Sequence, residues 1–170
     1  VYAGSADPPF DADTLPVALG AYGELKLGQE AAAREALAGV CPLVIGRFSN
    51  LYGPGQNLDK LQGLISRLAQ AAATQQPLNI FVSLDTMRDY IYADYAGALI
   101  VRWLDAALLV PAPATETRIL ASGESVTVGQ LITTMRQVTK RRIPLALGTH
   151  ASAKNQVLDL RLKPTRTATD

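Results

Sequence analysis

The stretch AYGELKLGQE, residues 21–30, carries a phenol and an ammonium four positions apart, Tyr22 and Lys26. On a helix this spacing projects both side chains from one face. An unassisted phenol titrates near 10 and is a poor base at neutral pH, whereas an adjacent ammonium favours the phenolate. The pair therefore has the makings of a proton-transfer site. It also fits a helix-surface pair with the tyrosine half buried, because in a 170-residue chain holding six tyrosines about 0.2 such pairs arise by chance. Residues elsewhere must decide.

Other reactive side chains offer less. Cys41 is the only cysteine, which excludes an internal disulfide and a cysteine-based zinc site, and its apolar surroundings predict a buried core thiol. His150, the only histidine, follows Gly148 in an expected loop without a second His or Cys to share a metal, so no metal is expected. Lys140–Arg142 is the one basic run in a chain of net charge +1, and it reads as a solvated helix end. No basic face for nucleic acid is advertised.

Composition is that of a globular protein, 48% hydrophobic and 18% charged, and 170 residues suffice for one domain with a real core. No run approaches the roughly 18 apolar residues of a membrane span, so a soluble protein with no membrane partner is expected. VYAGSADPPF has neither the charged and apolar regions of a signal peptide nor the arginines of a transit peptide.

The elements that must position Tyr22 and Lys26 follow from periodicity and punctuation. Residues 5–16, rich in proline and short polar residues, predict a loop, and steps of three and four from Leu19 to Leu37 predict a helix stopped by Gly39. CPLVIGRF reads as a parallel strand buried on both faces, and SNLYGPGQN as a loop at its carboxyl end, where open α/β sheets bind ligands. A second helix is expected over Leu58–Ala72, short strands at LNIFV and DYIYA, and a third helix capped by Asp94 and stopped by Pro111 and Pro113. TRILA predicts a strand, Thr127 and Gln130 a capping box opening a helix to about Lys140, and IPLALG one further strand. Strands alternating with helices define an α/β class.

Taken in order, YGELK, GRFSNLYGPGQ, PLNIFVSLDTMRDYIYADYAGAL and RILASGESVTVGQL resemble the second half of the extended short-chain dehydrogenase/reductases, the NAD-dependent nucleotide-sugar epimerases and dehydratases. VYAGS resembles the family's VYG motif, and QVLDLRLKPTR its late DISKAR segment. The resemblance implies the C-terminal half of a Rossmann-type parallel sheet plus a small α/β substrate-binding subdomain. Residues 1–57 would be the end of the dinucleotide-binding domain, and residues 58–170 mainly the substrate subdomain with interleaved Rossmann elements. Family members are nearly twice as long, and the Gly-rich GxxGxxG turn of their first half has no counterpart here, so this chain is expected to be part of a longer enzyme and inactive alone.

The resemblance also assigns roles. Tyr22 is implied as the base that takes a sugar hydroxyl proton while hydride leaves for NAD, or for NADP, and Lys26 as its activator and a ligand of the nicotinamide ribose. Phe48 is implied to pack near the nicotinamide, Asn50 to contact the substrate, and Arg88 to grip the diphosphate of a nucleotide sugar, a task suited to a guanidinium. Each has a plainer reading: Phe48 a core aromatic, Asn50 an Asn satisfying turn backbone, Arg88 a surface ion pair with Asp85 or Asp89. The family's catalytic Ser or Thr lies before VYG, outside the chain, and Ser5 does not replace it. FVSLDT lacks the glycines of the usual YGDGSQ, which leaves the particular sugar open. Epimerase and dehydratase stay unresolved, and a reductase of a small carbonyl substrate or a non-catalytic NAD(P)-binding regulatory protein are the alternatives. A cytoplasmic homodimer is expected.

Overall fold

A computed structural model describes residues 1–58, 63–109, 114–148 and 157–166. Four helices and eight strands appear among them: α1 (Ala21–Leu37), β1 (Leu43–Phe48), β2 (Asn50–Tyr52), α2 (Leu64–Thr74), β3 (Leu78–Ile80), β4 (Met87–Tyr92), α3 (Ala93–Leu108), β5 (Thr115–Leu120), β6 (Ser125–Thr127), α4 (Val128–Thr139), β7 (Leu145–Leu147) and β8 (Asp159–Leu160). Pairing is parallel for β1–β5, β2–β4, β3–β7 and β4–β8, and antiparallel only for β4–β6. The expected α/β class is the observed one.

Three small cores follow from side-chain alternation along these strands. On one face of β1–β5, Leu120 and Val44 pack with Ile91, Leu99 and Trp103 of β4 and α3. On the other, Ile119 packs with Tyr2, Phe10 and Leu162, the Tyr2 and Phe10 rings stacked at 5.4 Å. The third joins Leu68 and Ala72 of α2 to Ile80 of β3, Ile132 of α4 and Ile143. The segment 159–165 stitches the molecule together: Asp159 pairs with Met87, the Phe10 N–H donates to the Arg161 carbonyl, and the Ile119 N–H donates to the Thr165 hydroxyl.

Several expectations need correction. Asn50–Tyr52 is a strand rather than loop, because β4 offers its edge to those backbone groups. β1 is not buried on both faces. Its only strand neighbour among the described residues is β5, and of its six residues only Ile45 is buried. Cys41 is exposed, since β1 begins two residues after it and leaves it at the surface turn. Tyr92, not Asp94, is the N-cap of α3, with no side-chain cap, and Asp94 lies in the first turn where a carboxylate favours the helix dipole. The Thr127–Gln130 capping box is present with both bonds. The basic run is not purely solvated: Arg141 donates to the Ala72 and Ala73 carbonyls in the last turn of α2. Pro111, Pro113 and His150 lie outside the described residues.

Candidate functional site

Within this chain α1 buries none of its residues, and what joins it to the sheet is polar. Arg47 on β1 grips Glu30 with two parallel bonds, Nε to Oε1 at 2.9 Å and Nη2 to Oε2 at 2.7 Å. Four residues further along α1, Arg34 reaches Thr117 on β5 at 2.6 Å, and Thr117 is the register partner of Ile45. Four helical residues rise about 6 Å and two strand residues about 6.6 Å, so helix and strand run past each other in step and in opposite directions. Lys26 and Tyr22 lie one and two further turns toward the N-terminus of α1, in the direction of the carboxyl end of β1. That end of an open α/β sheet is where ligands bind.

Tyr22 is 74% exposed, more open than the half-buried surface reading required. The Lys26 ammonium lies 5.6 Å from the centre of the Tyr22 ring and donates to Gln29 Oε1 at 3.0 Å. The two groups are thus side by side at the surface. Phe48 is also exposed, its ring tip beside Gly46; strand alternation sends it to the face opposite Arg47, so it is not brought against α1.

Asn50 stands opposite Tyr90 in the β2–β4 register and donates its side-chain amide to the Asp89 carbonyl at 2.8 Å. It satisfies backbone, though that of a neighbouring strand rather than of a turn. Arg88, two residues before Tyr90, is half buried and forms neither ion pair expected of its plain reading; it donates to the Met87 carbonyl at 2.7 Å. Burial pulls its guanidinium below the usual arginine range, with Tyr90 and Asp159 opposing the shift. Asp89 instead turns inward, 1% exposed, and accepts from the Ser122 N–H, the Ser122 hydroxyl and the Gly123 N–H. A half-buried guanidinium with no ion pair to Asp85 or Asp89 suits an anionic ligand.

Sequence reasoning missed Tyr90, Tyr92 and Tyr52. By alternation and register they share the Arg88 face, with Tyr52 and Tyr92 edge to face at 5.6 Å. The every-second-residue placement of Arg88, Tyr90 and Tyr92 was the available signal. An open groove of about 720 Å³ between α4, β7 and the turn at Leu84 contains none of these residues.

For a dinucleotide, the residues present fit one end only. An exposed phenol and ammonium side by side suit the nicotinamide ribose, and the sequence holds no Gly-rich turn for the pyrophosphate.

The fold is an α/β protein with mostly parallel strand pairing. Comparison makes the class specific: the NAD dependent epimerase/dehydratase family matches residues 1–112, and the chain belongs to that family. It is 28% identical over 162 residues to the dTDP-4-dehydro-6-deoxyglucose reductase of Escherichia coli, covering 93% of this chain and 49% of the reductase. It is 33% identical over 99 residues to the dTDP-L-rhamnose 4-epimerase of Burkholderia thailandensis, covering 56% of this chain and 27% of the epimerase. The fold superposes on MoeE5 in complex with UDP-glucuronic acid and NAD with a TM-score of 0.75 and 26% identity, over 99% of this chain and 53% of MoeE5. The chain therefore spans about half the length of the reductase and of MoeE5, and about a quarter of the epimerase.

Proposed function

We propose that this chain is part of an NAD(P)-dependent epimerase or dehydratase acting on a nucleotide sugar. The observation that carries the reading is the Tyr22–Lys26 pair, exposed side by side on a helix tied to β1 and β5. In this reading the Tyr22 phenolate takes the proton of a sugar hydroxyl as hydride leaves the same carbon, giving a ketone. The bound nicotinamide supplies the hydride acceptor. Lys26 stabilises the phenolate and holds the nicotinamide ribose, while Arg88 meets the sugar-nucleotide diphosphate. Asn50 contacts the sugar, and Phe48 lines the cofactor side. Residues 1–57 form the cofactor-side unit and residues 58–170 mainly the substrate side, with α3 and β5 returning to pack on β1. A cytoplasmic homodimer belongs to the same reading, supported by apolar side chains left exposed on α1 and α3, among them Leu25, Leu104 and Leu108.

A second reading, reduction of a keto sugar, is favoured by the reductase relative aligned over 93% of this chain. Incubating the full-length protein with NAD(P) and UDP- or dTDP-sugars, and following the sugar by NMR, separates the readings. An epimer or a dehydrated product supports the first, and an alcohol formed only from a keto sugar with reduced cofactor supports the second. Bound cofactor with no turnover of any sugar overturns both and leaves a non-catalytic binding module.

A further inference from the structure

Within this chain, polar side chains tie α1 to the sheet. Tyr22, Lys26, Glu30 and Arg34 follow one another at four-residue spacing and so run along one gradually turning stripe of the helix. The first two are the candidate reactive groups. The last two are the tethers.

Of the tethers, Arg34 to Thr117 is an exposed single bond, whereas the Glu30–Arg47 pair is well shielded, its side chains 15% and 10% exposed. Arg47 is itself held from behind: it donates at 2.5 Å to the Tyr2 hydroxyl, which donates to the Asp11 carbonyl at 3.0 Å, and its guanidinium lies 5.1 Å from the Tyr2 ring. Tyr2 is in turn stacked on Phe10, whose backbone is bonded to Arg161 and Lys163. A chain of fixed groups thus runs from the molecular core to Glu30, one helical turn from Lys26. A bidentate carboxylate–guanidinium pair sets direction as well as distance, which a lysine in place of the arginine cannot do.

We propose that Glu30 and Arg47 are positioning residues that fix the rotation and height of α1, and through it the presentation of Tyr22 and Lys26 to substrate. The inference of an effect on turnover rests on the proposed function; the effect on the helix does not. In the full-length protein, Arg47→Lys keeps the buried charge and loses the fork. Glu30→Gln keeps the shape and loses the charge. Each is expected to lower kcat on the sugar that the wild type turns over by about 30-fold or more, with KM for the sugar changed less than threefold. Amide hydrogen exchange across residues 21–37 should rise at least tenfold while β1 and β5 keep their protection. The paired reversal Glu30→Arg with Arg47→Glu, in which Tyr2 turns its single hydroxyl proton from the Asp11 carbonyl to the new carboxylate, should recover at least tenfold of the kcat lost in Arg47→Glu alone.

Folded Arg47→Lys and Glu30→Gln proteins with wild-type kcat and wild-type exchange in α1 would overturn the proposal. So would loss of kcat with unchanged exchange in α1, because the helix would not have moved. If the wild type turns over no sugar, the functional reading fails by itself, and the exchange measurement still decides whether the pair holds the helix. If the single reversal does not fold, Arg47→Lys carries the test.

Discussion

Arg88 and Asp89 are adjacent in sequence and face opposite ways. The Asp89 carboxylate accepts from Ser122 and Gly123 and does not pair with Arg88, whose guanidinium donates to the Met87 carbonyl. Replacement of Asp89 by Ala strips three donors of their acceptor in a buried position. The expected loss is about 3 kcal/mol of stability, read as a lower urea midpoint at constant slope. Arg88→Lys tests the other side of the strand. It keeps the charge without the fork, so KM for a nucleotide sugar should rise about tenfold with kcat little changed. Tyr22→Phe removes only the proton acceptor and should lower kcat by about 10² to 10⁴ with folding intact, as steady-state kinetics and circular dichroism would report. A Tyr22→Phe protein with wild-type kcat would remove Tyr22 from the chemistry.

Among the elements, legibility tracked whether a signal was local. The α4 capping box was readable because both partners lie within one turn, and Thr127→Ala should cost about 1 kcal/mol by urea denaturation. Helix α1 and strands β1, β3, β4 and β5 were readable from periodicity and from flanking glycine and proline, whereas α2 was expected from Leu58 and begins at Leu64, after Gly63 with its positive φ of 86°. What was not legible depends on distant partners. Asn50–Tyr52 looks like loop until β4 supplies a parallel edge, and β6 and β8 are strands only because β4 pairs with both. Asp94 is a residue type that caps helices, yet helix α3 starts two residues too early for it to act as one. At the candidate site, Tyr22 and Lys26 were legible from spacing. The Glu30–Arg47 tether was not, because nothing local links residues 17 positions apart on different elements. Tyr90 and Tyr92 were hidden by being read as strand formers, which they also are.

At the scale of the whole molecule, the candidate site is provisioned unevenly. In the proposed reading the nicotinamide end would be served by an exposed phenol and ammonium, and the substrate side by a half-buried guanidinium among tyrosines. For the pyrophosphate there is no matching provision: binding two phosphates at a helix N-terminus needs glycines that let the backbone approach, and no GxxGxxG turn occurs in the 170 residues. Affinity for a dinucleotide comes largely from desolvated, charge-assisted contacts to those phosphates, each worth about 1.5 to 3 kcal/mol. Losing two or three such contacts weakens binding by roughly two to six powers of ten, since each 1.4 kcal/mol is tenfold. We therefore predict that the 170-residue chain, titrated with NAD in a calorimeter, shows no saturable binding at micromolar concentration, while the full-length protein does. The apolar side chains exposed on α1 and α3 give the same chain a second expected behaviour, concentration-dependent association in light scattering. Micromolar affinity of this chain for NAD would mean that its phosphate site is built from residues within it, and the search would then turn to the arginines among the described residues, Arg88 first.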